Sequence, residues 1–207
     1  MKRPTVEVAD ILRVQGRRFL DRYRSGLDFQ QLKAFRAIQN CRTAALGGHL
    51  DACPRCGFQA VSYNSCRNRH CPKCQAQARE RWLAARQQEL LATNYFHVVF
   101  TVPHELNLLA QDNSRRFYHL FFTASAATLL QIAADPRHFG AQIGILTILH
   151  TWGQNLLAHP HIHCVIPAGG ISLDRTRWMH PRYPFLLPVK ALSRVFRGKF
   201  IAGLKRL

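Results

Sequence analysis

The sequence predicts an α+β fold in which a helical, cysteine-rich N-terminal module precedes an incomplete antiparallel sheet with helices on one face. Three observations support this prediction. Apolar residues recur at helical spacing near the N-terminus, six of the seven cysteines lie between positions 41 and 74, and runs rich in Val, Ile and Phe, bounded by Pro and Gly, dominate the second half. We expect two domains, residues 1–92 and residues 93–207.

The N-terminal domain is predicted to be helical at both of its ends. Apolar spacing predicts one helix from Val6 to about Arg24 and a short second helix over Leu27 to Ile38. From Gln75 to about Thr93 the chain is rich in helix formers and lacks Gly and Pro, which predicts a third helix with a basic face. The stretch from Cys53 to Cys74 has little periodicity, so its fold must depend on something other than a hydrophobic core.

The second domain alternates strands with helices. Tyr95 to Val102 is rich in Phe and Val and predicts a strand, and Asn113 to Ala134 predicts a helix. Two further strands, Ile143 to Thr151 and His159 to Pro167, are joined by a short polar segment and end at strong turn signals. A basic amphipathic stretch from Ala191 closes the sequence.

The charge of the chain indicates a polyanionic partner. The net charge is +18 with a pI near 10.7, divided as +11 over residues 1–86, −1 over residues 87–172 and +8 over residues 173–207. Arginine predominates, which favours bidentate phosphate contacts. Nucleic acid is favoured over a membrane because no basic stretch has a clean apolar opposite face, and no apolar run approaches the length of a membrane span. The charged N-terminus lacks a signal-peptide core, so we expect a cytoplasmic protein.

Two CPxC turns carry the strongest motif in the sequence. Each turn presents two thiolates to one ion, and two turns complete the tetrahedral shell that Zn²⁺ prefers. The predicted ligands of a structural zinc ion are Cys53, Cys56, Cys71 and Cys74. Three neighbours leave open a second ion or a packing role, namely His49, Cys66 and His70. Cys41 and Cys164 are interpreted as small core residues.

Basic side chains surround this cysteine module and favour contacts to DNA. Lysine and arginine bind phosphates without reading sequence, and their clustering marks the electrostatic footprint of a nucleic-acid-binding surface. The predicted DNA-binding residues are Arg42, Arg55, Arg67, Arg69, Lys73, Arg79 and Arg81.

A histidine strand is the main candidate for chemistry in the second domain. Side chains on a strand alternate faces, so His161 and His163 point the same way, with His159 one step behind, while Ile162 and Cys164 point to the opposite face. Two neighbouring imidazoles on a rigid strand can hold a divalent metal ion. The alternative is an ordinary polar face of an antiparallel strand.

Several strings in this order resemble the IS91-type transposases. They begin at Cys41 with CRTAALGGH, at Ser65 with SCRNRHCPKCQ, at Phe96 with FHVVFT, at His150 with HTWGQN and at His159 with HPHIH. That family joins an N-terminal zinc-binding domain to a nuclease domain of the histidine-hydrophobe-histidine class. The resemblance covers nearly the whole chain.

The resemblance implies a rolling-circle-like DNA transposase acting on single-stranded DNA. In such enzymes the histidine pair, here His161 and His163, holds a divalent cation (Mg²⁺ or Mn²⁺) against the scissile phosphate. His159 or Gln154 would be accessory. A tyrosine on a downstream helix attacks, leaving a 5′-phosphotyrosyl link and a free 3′-OH, and this covalent bond conserves energy for rejoining.

The chain departs from the family pattern at the nucleophile. One tyrosine, Tyr183, follows His163, and prolines on both sides of it argue against a helix. We therefore expect the nucleophile beyond Leu207 and interpret the chain as a truncated transposase, which leaves its enzymatic activity open. One rival is a non-catalytic, zinc-dependent DNA-binding remnant or regulator. The other, a phosphodiesterase using activated water, would need carboxylates near the histidines, where the sequence offers only Asp112 and Asp135.

Overall fold

The computed structural model describes residues 5–155 and 157–207. The chain divides into two units, Met1–Leu90 and Leu91–Leu207. Helices and small antiparallel sheets occur in both units, so the predicted α+β class is confirmed.

Two helices, α1 (Val8–Tyr23) and α2 (Phe29–Gln39), open the first unit. Each begins with a reciprocal capping box, Glu7 with Asp10 and Asp28 with Gln31, which satisfies backbone N–H groups that a helix start leaves unpaired. The two helices approach closely at Gly16, where a Cβ atom would lie 2.4 Å from the side-chain amide nitrogen of Gln39. A larger residue at position 16 would therefore push the helices apart.

A hairpin and a third helix complete this unit. Strands β1 (Gly48–Ala52) and β2 (Gln59–Tyr63) pair antiparallel, and α3 spans Pro72–Gln88. The hairpin was not predicted, because both strands are almost wholly exposed and show no apolar alternation. The buried core is very small and half of it is cysteine. Its members are Ala9, Ile38, Cys41 and Cys71, with Leu12, Cys66 and Cys74 packed against them.

A three-stranded antiparallel sheet organises the second unit. Its strands are β3 (Tyr95–Thr101), β5 (Leu146–Trp152) and β6 (Ala158–Pro167), in the order β3-β6-β5. The longest strand, β6, is central and pairs with both neighbours. Along β6, Ile162, Cys164 and Ile166 are fully buried and the residues between them are partly exposed, so the two faces of the strand have different chemistry.

Helices cover the apolar face of β6. The described helices are α4 (Asn107–Asp112), α5 (Ser114–Ala134) and α6 (Val189–Leu204), and the last two pack against one another. By length and composition α5 could cross a membrane, alone among the described helices. Its buried side chains instead belong to the main core of this unit. That core includes Phe117, Phe121, Leu129, Ile162, Cys164, Ile166, Phe196 and Phe200.

Three short strands form a second small sheet. They are β4 (Ala141–Gln142), β7 (Gly170–Ser172) and β8 (Trp178–Met179), in the order β4-β7-β8. At Gly170 a Cβ atom would lie 2.6 Å from the backbone oxygen of Gln142, so this pairing needs glycine. These strands are too short for an apolar pattern to predict them.

We expect Phe121→Ala to destabilise the second unit by about 3–5 kcal/mol, the cost of emptying a buried aromatic site. Phe121 is fully buried, and its ring contacts those of Phe117, Phe196 and Phe200. Urea unfolding followed by circular dichroism measures the change. Phe185→Ala is the matched control, because Phe185 is 46% exposed, and it should change stability by less than about 0.5 kcal/mol.

Candidate metal centres

Four cysteine sulfur atoms meet in the first unit. The Sγ atoms of Cys41, Cys66, Cys71 and Cys74 all lie within 4.8 Å of one another. Three of the separations are 3.5 Å (Cys41 to Cys74), 3.6 Å (Cys66 to Cys74) and 3.7 Å (Cys71 to Cys41). Sulfur atoms about 2.3 Å from a tetrahedral zinc ion would be about 3.8 Å apart. The tetrad therefore fits zinc in both donor type and spacing.

The tetrad joins three elements that otherwise share little packing. Cys41 lies just after α2, Cys66 follows β2, and Cys71 and Cys74 lie at the start of α3, where Pro72 occupies the first turn. A metal ion bound here would cross-link the helical pair, the hairpin and α3, which the small core described above cannot do alone.

Thiol acidity within the tetrad also favours a cation. Burial would raise the pKa of Cys74, but hydrogen bonds from the thiols of Cys41, Cys66 and Cys71 lower that pKa to about 7. Burial raises the pKa of Cys66 to about 12. The Cys74 thiol thus ionises easily because its neighbours donate hydrogen bonds to its thiolate, whereas burial makes the Cys66 thiol resist ionisation. A bound metal ion would deprotonate all four thiols.

Backbone N–H groups also point at these sulfur atoms. Those of Cys66, Arg67 and Asn68 hydrogen-bond to the Sγ atoms of Cys41, Cys74 and Cys66 respectively. Arg67 reaches this arrangement through a left-handed backbone with φ of 51°, a conformation that non-glycine residues adopt at some cost. A hydrogen bond from a backbone N–H group favours the negatively charged form of the sulfur atom that accepts it.

The structure groups the cysteines differently from the spacing prediction. We predicted that the two CPxC turns share one ion, but Cys53 and Cys56 lie outside the tetrad and form a separate pair at the tip of the β1–β2 hairpin. Cys66 and Cys41 lie in the tetrad instead, and Cys41 is buried, as its interpretation as a small core residue predicted. His49 and His70 also lie outside the tetrad. The hairpin holds Cys53 away because β1 and β2 extend between its tip and the tetrad.

Three histidines form the second cluster, on the open face of the sheet. His161 and His163 lie on β6 and point to the same face, as predicted, and His150 on β5 lies directly opposite His161. Each offers a ring nitrogen, and these atoms all lie within 4.8 Å of one another. The ring centroid of His150 is 4.4 Å from that of His163 and 5.3 Å from that of His161.

Hydrogen bonds leave two of the three rings with nitrogens suited to metal binding. The Nδ1 atom of His161 lies 2.7 Å from the carbonyl oxygen of His159 and donates to it, so Nε2 carries the lone pair. The Nε2 atom of His163 is buried and has no partner among the described residues. Burial and the neighbouring rings of His150, His161 and His97 lower the pKa of His163, which favours the neutral ligand form.

His150 was missed as a third candidate ligand. A regular pairing continued from Trp152 and Ala158 would place His150 opposite Pro160. A register shift between His150 and Trp152 brings His150 opposite His161 instead, and no sequence signal indicated that shift. His159, the further candidate, has its ring centroid 5.2 Å from that of His161 but is not among the three clustered nitrogens. Gln154 lies in the turn between β5 and β6.

The basic residues predicted to contact DNA are all exposed in the first unit, but some of them are paired with carboxylates. Lys73 is bound by both carboxylate oxygens of Glu7, at 2.7 and 2.8 Å, and Arg79 pairs with Glu80. These carboxylates partly neutralise the two cations. Among the described contacts, no carboxylate pairs with Arg42, Arg55, Arg67, Arg69 or Arg81.

The first unit has a tetrad of cysteine sulfur atoms and a very small core, which places it in the class of zinc-binding domains. Comparison with known families agrees: residues 11–102 match the transposase zinc-binding domain of the IS91 type, and residues 144–207 match a family described as "Putative transposase". The chain belongs to the IS91-type transposases, and the resemblance inferred from its motifs is confirmed.

Two curated relatives support this assignment. The chain is 52% identical over 206 residues to "Putative transposase y4qJ" of Sinorhizobium fredii, a match that covers 100% of this chain and 52% of the relative. It is 33% identical over 134 residues to the transposase for insertion sequence element IS801 of Pseudomonas savastanoi pv. phaseolicola, covering 64% of this chain and 32% of the relative. The chain thus spans about half or less of the length of these relatives.

Among solved structures, the chain is similar to the conjugative relaxase TrwC in complex with oriT DNA. A copper-bound and a metal-bound structure of that protein match with TM-scores of 0.44 and 0.43 at 20% identity. Each match covers 53% of this chain and 42% of the relaxase.

Proposed function

We propose that this chain supplies the DNA-binding and metal-binding parts of a DNA transposition reaction of the IS91 type, with single-stranded DNA as its substrate. The observation that carries the proposal is the cluster of His150, His161 and His163 on the open face of a sheet, in a chain of this family. The proposed site of action is the cytoplasm, where cysteine thiols stay reduced.

The three histidines would hold the divalent cation, which supplies polarisation of the phosphoryl oxygens at the scissile phosphate. His161 and His163 present their Nε2 atoms from adjacent same-face positions of one strand, and His150 adds a nitrogen from β5. Because this strand is the centre of the sheet and its other face is buried from Pro160 to Ile166, the ligands would be rigidly placed. Mg²⁺ and Mn²⁺ are both proposed as occupants.

The attacking tyrosine of this proposal is not assigned to a residue of this chain. Tyr183 lies in the segment between β8 and α6, is 61% exposed, and has its ring stacked on that of Phe185 with a centroid distance of 5.2 Å. It lies outside every described helix, as its flanking prolines predicted.

The proposal of a single-stranded substrate is supported by Trp152 at the end of β5. Its ring lies nearly parallel to that of His150, with an interplanar angle of 9° and a centroid distance of 5.5 Å, and the residue is 53% exposed. An exposed indole beside the proposed phosphate site can stack on an unpaired base, a contact worth about 1–3 kcal/mol. A base within a duplex cannot make that contact without leaving its own stack.

We expect Trp152→Ala to weaken binding of a single-stranded oligonucleotide by about 5- to 150-fold, equivalent to the stacking energy of one base. Trp152→Phe should retain most of the affinity because it keeps an aromatic face. Fluorescence anisotropy at fixed salt measures both. Ile171→Ala, at another exposed apolar position, is the control, and an equal loss in that variant would contradict a stacking role.

The overall proposal is tested by incubating the chain with labelled single-stranded DNA, with and without Mn²⁺. Binding that responds to Mn²⁺ in the wild type but not in a His161→Ala, His163→Ala double variant supports the proposal. Cleavage would extend it to catalysis.

The alternative is a zinc-dependent DNA-binding protein without catalysis, and the exposed arginines around the tetrad favour it. It predicts DNA binding that is the same with and without Mn²⁺ and insensitive to the histidine changes.

A further inference from the structure

We propose that His97 is a positioning residue of the histidine centre. Its Nε2 atom accepts a hydrogen bond from Nδ1–H of His163, and this bond holds His163 in the tautomer whose Nε2 lone pair can bind a cation. The inference rests on the proposed metal-binding role of the three histidines. His97 lies on β3, outside the strings of β5 and β6 that carry those ligands.

The contact between the two rings is an in-plane hydrogen bond. His97 pairs with Val165 in the β3–β6 register and is thus the diagonal neighbour of His163 on the same face. The Nε2 atom of His97 lies 2.6 Å from the Nδ1 atom of His163, with ring planes 6° apart and centroids 4.9 Å apart. Rings stacked face to face could not bring two nitrogens so close, so the rings lie edge to edge.

The chemistry of a neutral imidazole decides the direction of this bond. Each ring carries one N–H, so one ring donates and the other accepts. If His97 donated, the proton of His163 would sit on Nε2, which is buried and has no acceptor among the described residues. A buried donor without an acceptor is unfavourable, because the hydrogen bond that it made with water is lost and not replaced. If His163 donates instead, its Nε2 atom faces the cluster as a lone pair that a cation satisfies.

The same arrangement occurs at His161 with a different partner. There the carbonyl oxygen of His159 accepts from Nδ1, and a carbonyl cannot donate, so the tautomer is fixed. His163 lacks a carbonyl at that position and uses His97 in its place. A partner on the outer nitrogen also orients the ring and raises its basicity toward metal.

The first test measures Mn²⁺ binding to the full-length, zinc-loaded chain by the electron paramagnetic resonance signal of free Mn²⁺. Zinc remains on the thiolates because Mn²⁺ prefers oxygen and nitrogen ligands. We expect His97→Leu to weaken Mn²⁺ binding by about 10- to 100-fold, the usual effect of losing an outer partner. His97→Gln, whose side-chain oxygen can accept the same bond, should recover most of the affinity.

Two results would overturn the role of His97: unchanged affinity in His97→Leu, or a loss in His97→Gln as large as in His97→Leu. The second result would mean that the imidazole itself is needed, as a ligand or by its shape. His104→Leu is the matched control, because the His104 side chain is 84% exposed and its short charged contact is to Glu105. That variant should bind Mn²⁺ as the wild type does.

A second test needs no metal and separates this inference from the proposed function. Nitrogen-15 NMR of the histidine rings reports which nitrogen carries the proton. We expect the Nδ1–H tautomer of His163 in the wild type and in His97→Gln, and a mixture in His97→Leu. An Nε2–H tautomer in the wild type would refute the role of His97. If instead His161→Ala and His163→Ala leave Mn²⁺ affinity unchanged, the proposed metal centre fails while the tautomer result stands.

Discussion

Replacing Cys41 with serine is expected to cost the N-terminal unit its zinc and its folded structure. Cys41 provides one of four sulfur atoms that lie within 4.8 Å of one another, and it also belongs to the small buried cluster of this unit. Zinc sites of this type contribute about 10–16 kcal/mol to folding, whereas whole domains are stable by about 5–15 kcal/mol. Loss of the site therefore exceeds what the remaining contacts can supply.

Zinc content by mass spectrometry and helix content by circular dichroism measure this effect. The control is Cys56→Ser, which alters a thiol at the hairpin tip outside the tetrad, and it should keep the tetrad zinc and the helices. If Cys56→Ser loses the same zinc while Cys41→Ser retains it, the ligand set is that of the two CPxC turns and the tetrad is not the zinc site. Removal of zinc by a chelator should reproduce the Cys41→Ser result in the wild type.

Replacing His161 or His163 with alanine should weaken Mn²⁺ binding strongly. Loss of a residue that only hydrogen-bonds to a metal ligand typically costs about 10- to 100-fold in affinity, and we expect a larger loss here. Each change removes a nitrogen aimed at the cation rather than a group that orients one. Both residues are only partly buried on the open face of β6, so the fold should survive. His150→Ala should have a similar effect, which would identify it as the third ligand.

Titration of free Mn²⁺ measures these affinities, and thermal unfolding shows whether the variants remain folded. His159→Ala is the matched control on the same strand, because the ring nitrogens of His159 lie outside the cluster. The substitution also leaves the backbone carbonyl oxygen of residue 159, which accepts the hydrogen bond from His161, in place. Equal loss in His159→Ala and His150→Ala would mean that the ligand set is not the clustered trio. Wild-type affinity in His161→Ala would refute the centre altogether.

Much of the fold could be predicted because its long elements carry strong periodic signals. The helices Val8–Tyr23 and Ser114–Ala134 and the strand Ala158–Pro167 lie within two residues of their predicted limits. The β1–β2 hairpin gave no signal, since its residues face solvent on both sides. We expect metal binding, rather than burial of apolar residues, to stabilise that region. Metal ligands do not recur at helical or strand spacing, so periodicity could not predict the hairpin.

The sequence predicted a cysteine cluster and a histidine cluster, but only some of the residues that the structure brings together in each. The strand alternation correctly placed His161 and His163 on one face because the period of two needs no tertiary information. Cys41 lies outside the CPxC turns, and His150 and His97 lie on strands other than the one that carries His161 and His163. Whether these residues come close to the motifs depends on how the helices and strands pack, which the spacing within a motif does not indicate. Spacing within a motif favoured Cys53 and Cys56, whereas the path of the hairpin brings Cys41 and Cys66 to the tetrad instead.

The alternation along β6 also limits how this site can be lost during evolution. Histidines and fully buried residues such as Ile162 and Cys164 follow one another in single steps. An insertion or deletion of one residue between them would exchange the two faces, putting imidazoles into the core and aliphatic groups into the open. Such a change destroys the domain as well as the centre. Folded descendants without the histidine cluster should therefore have arisen by substitution of the histidines, with the length of the strand unchanged.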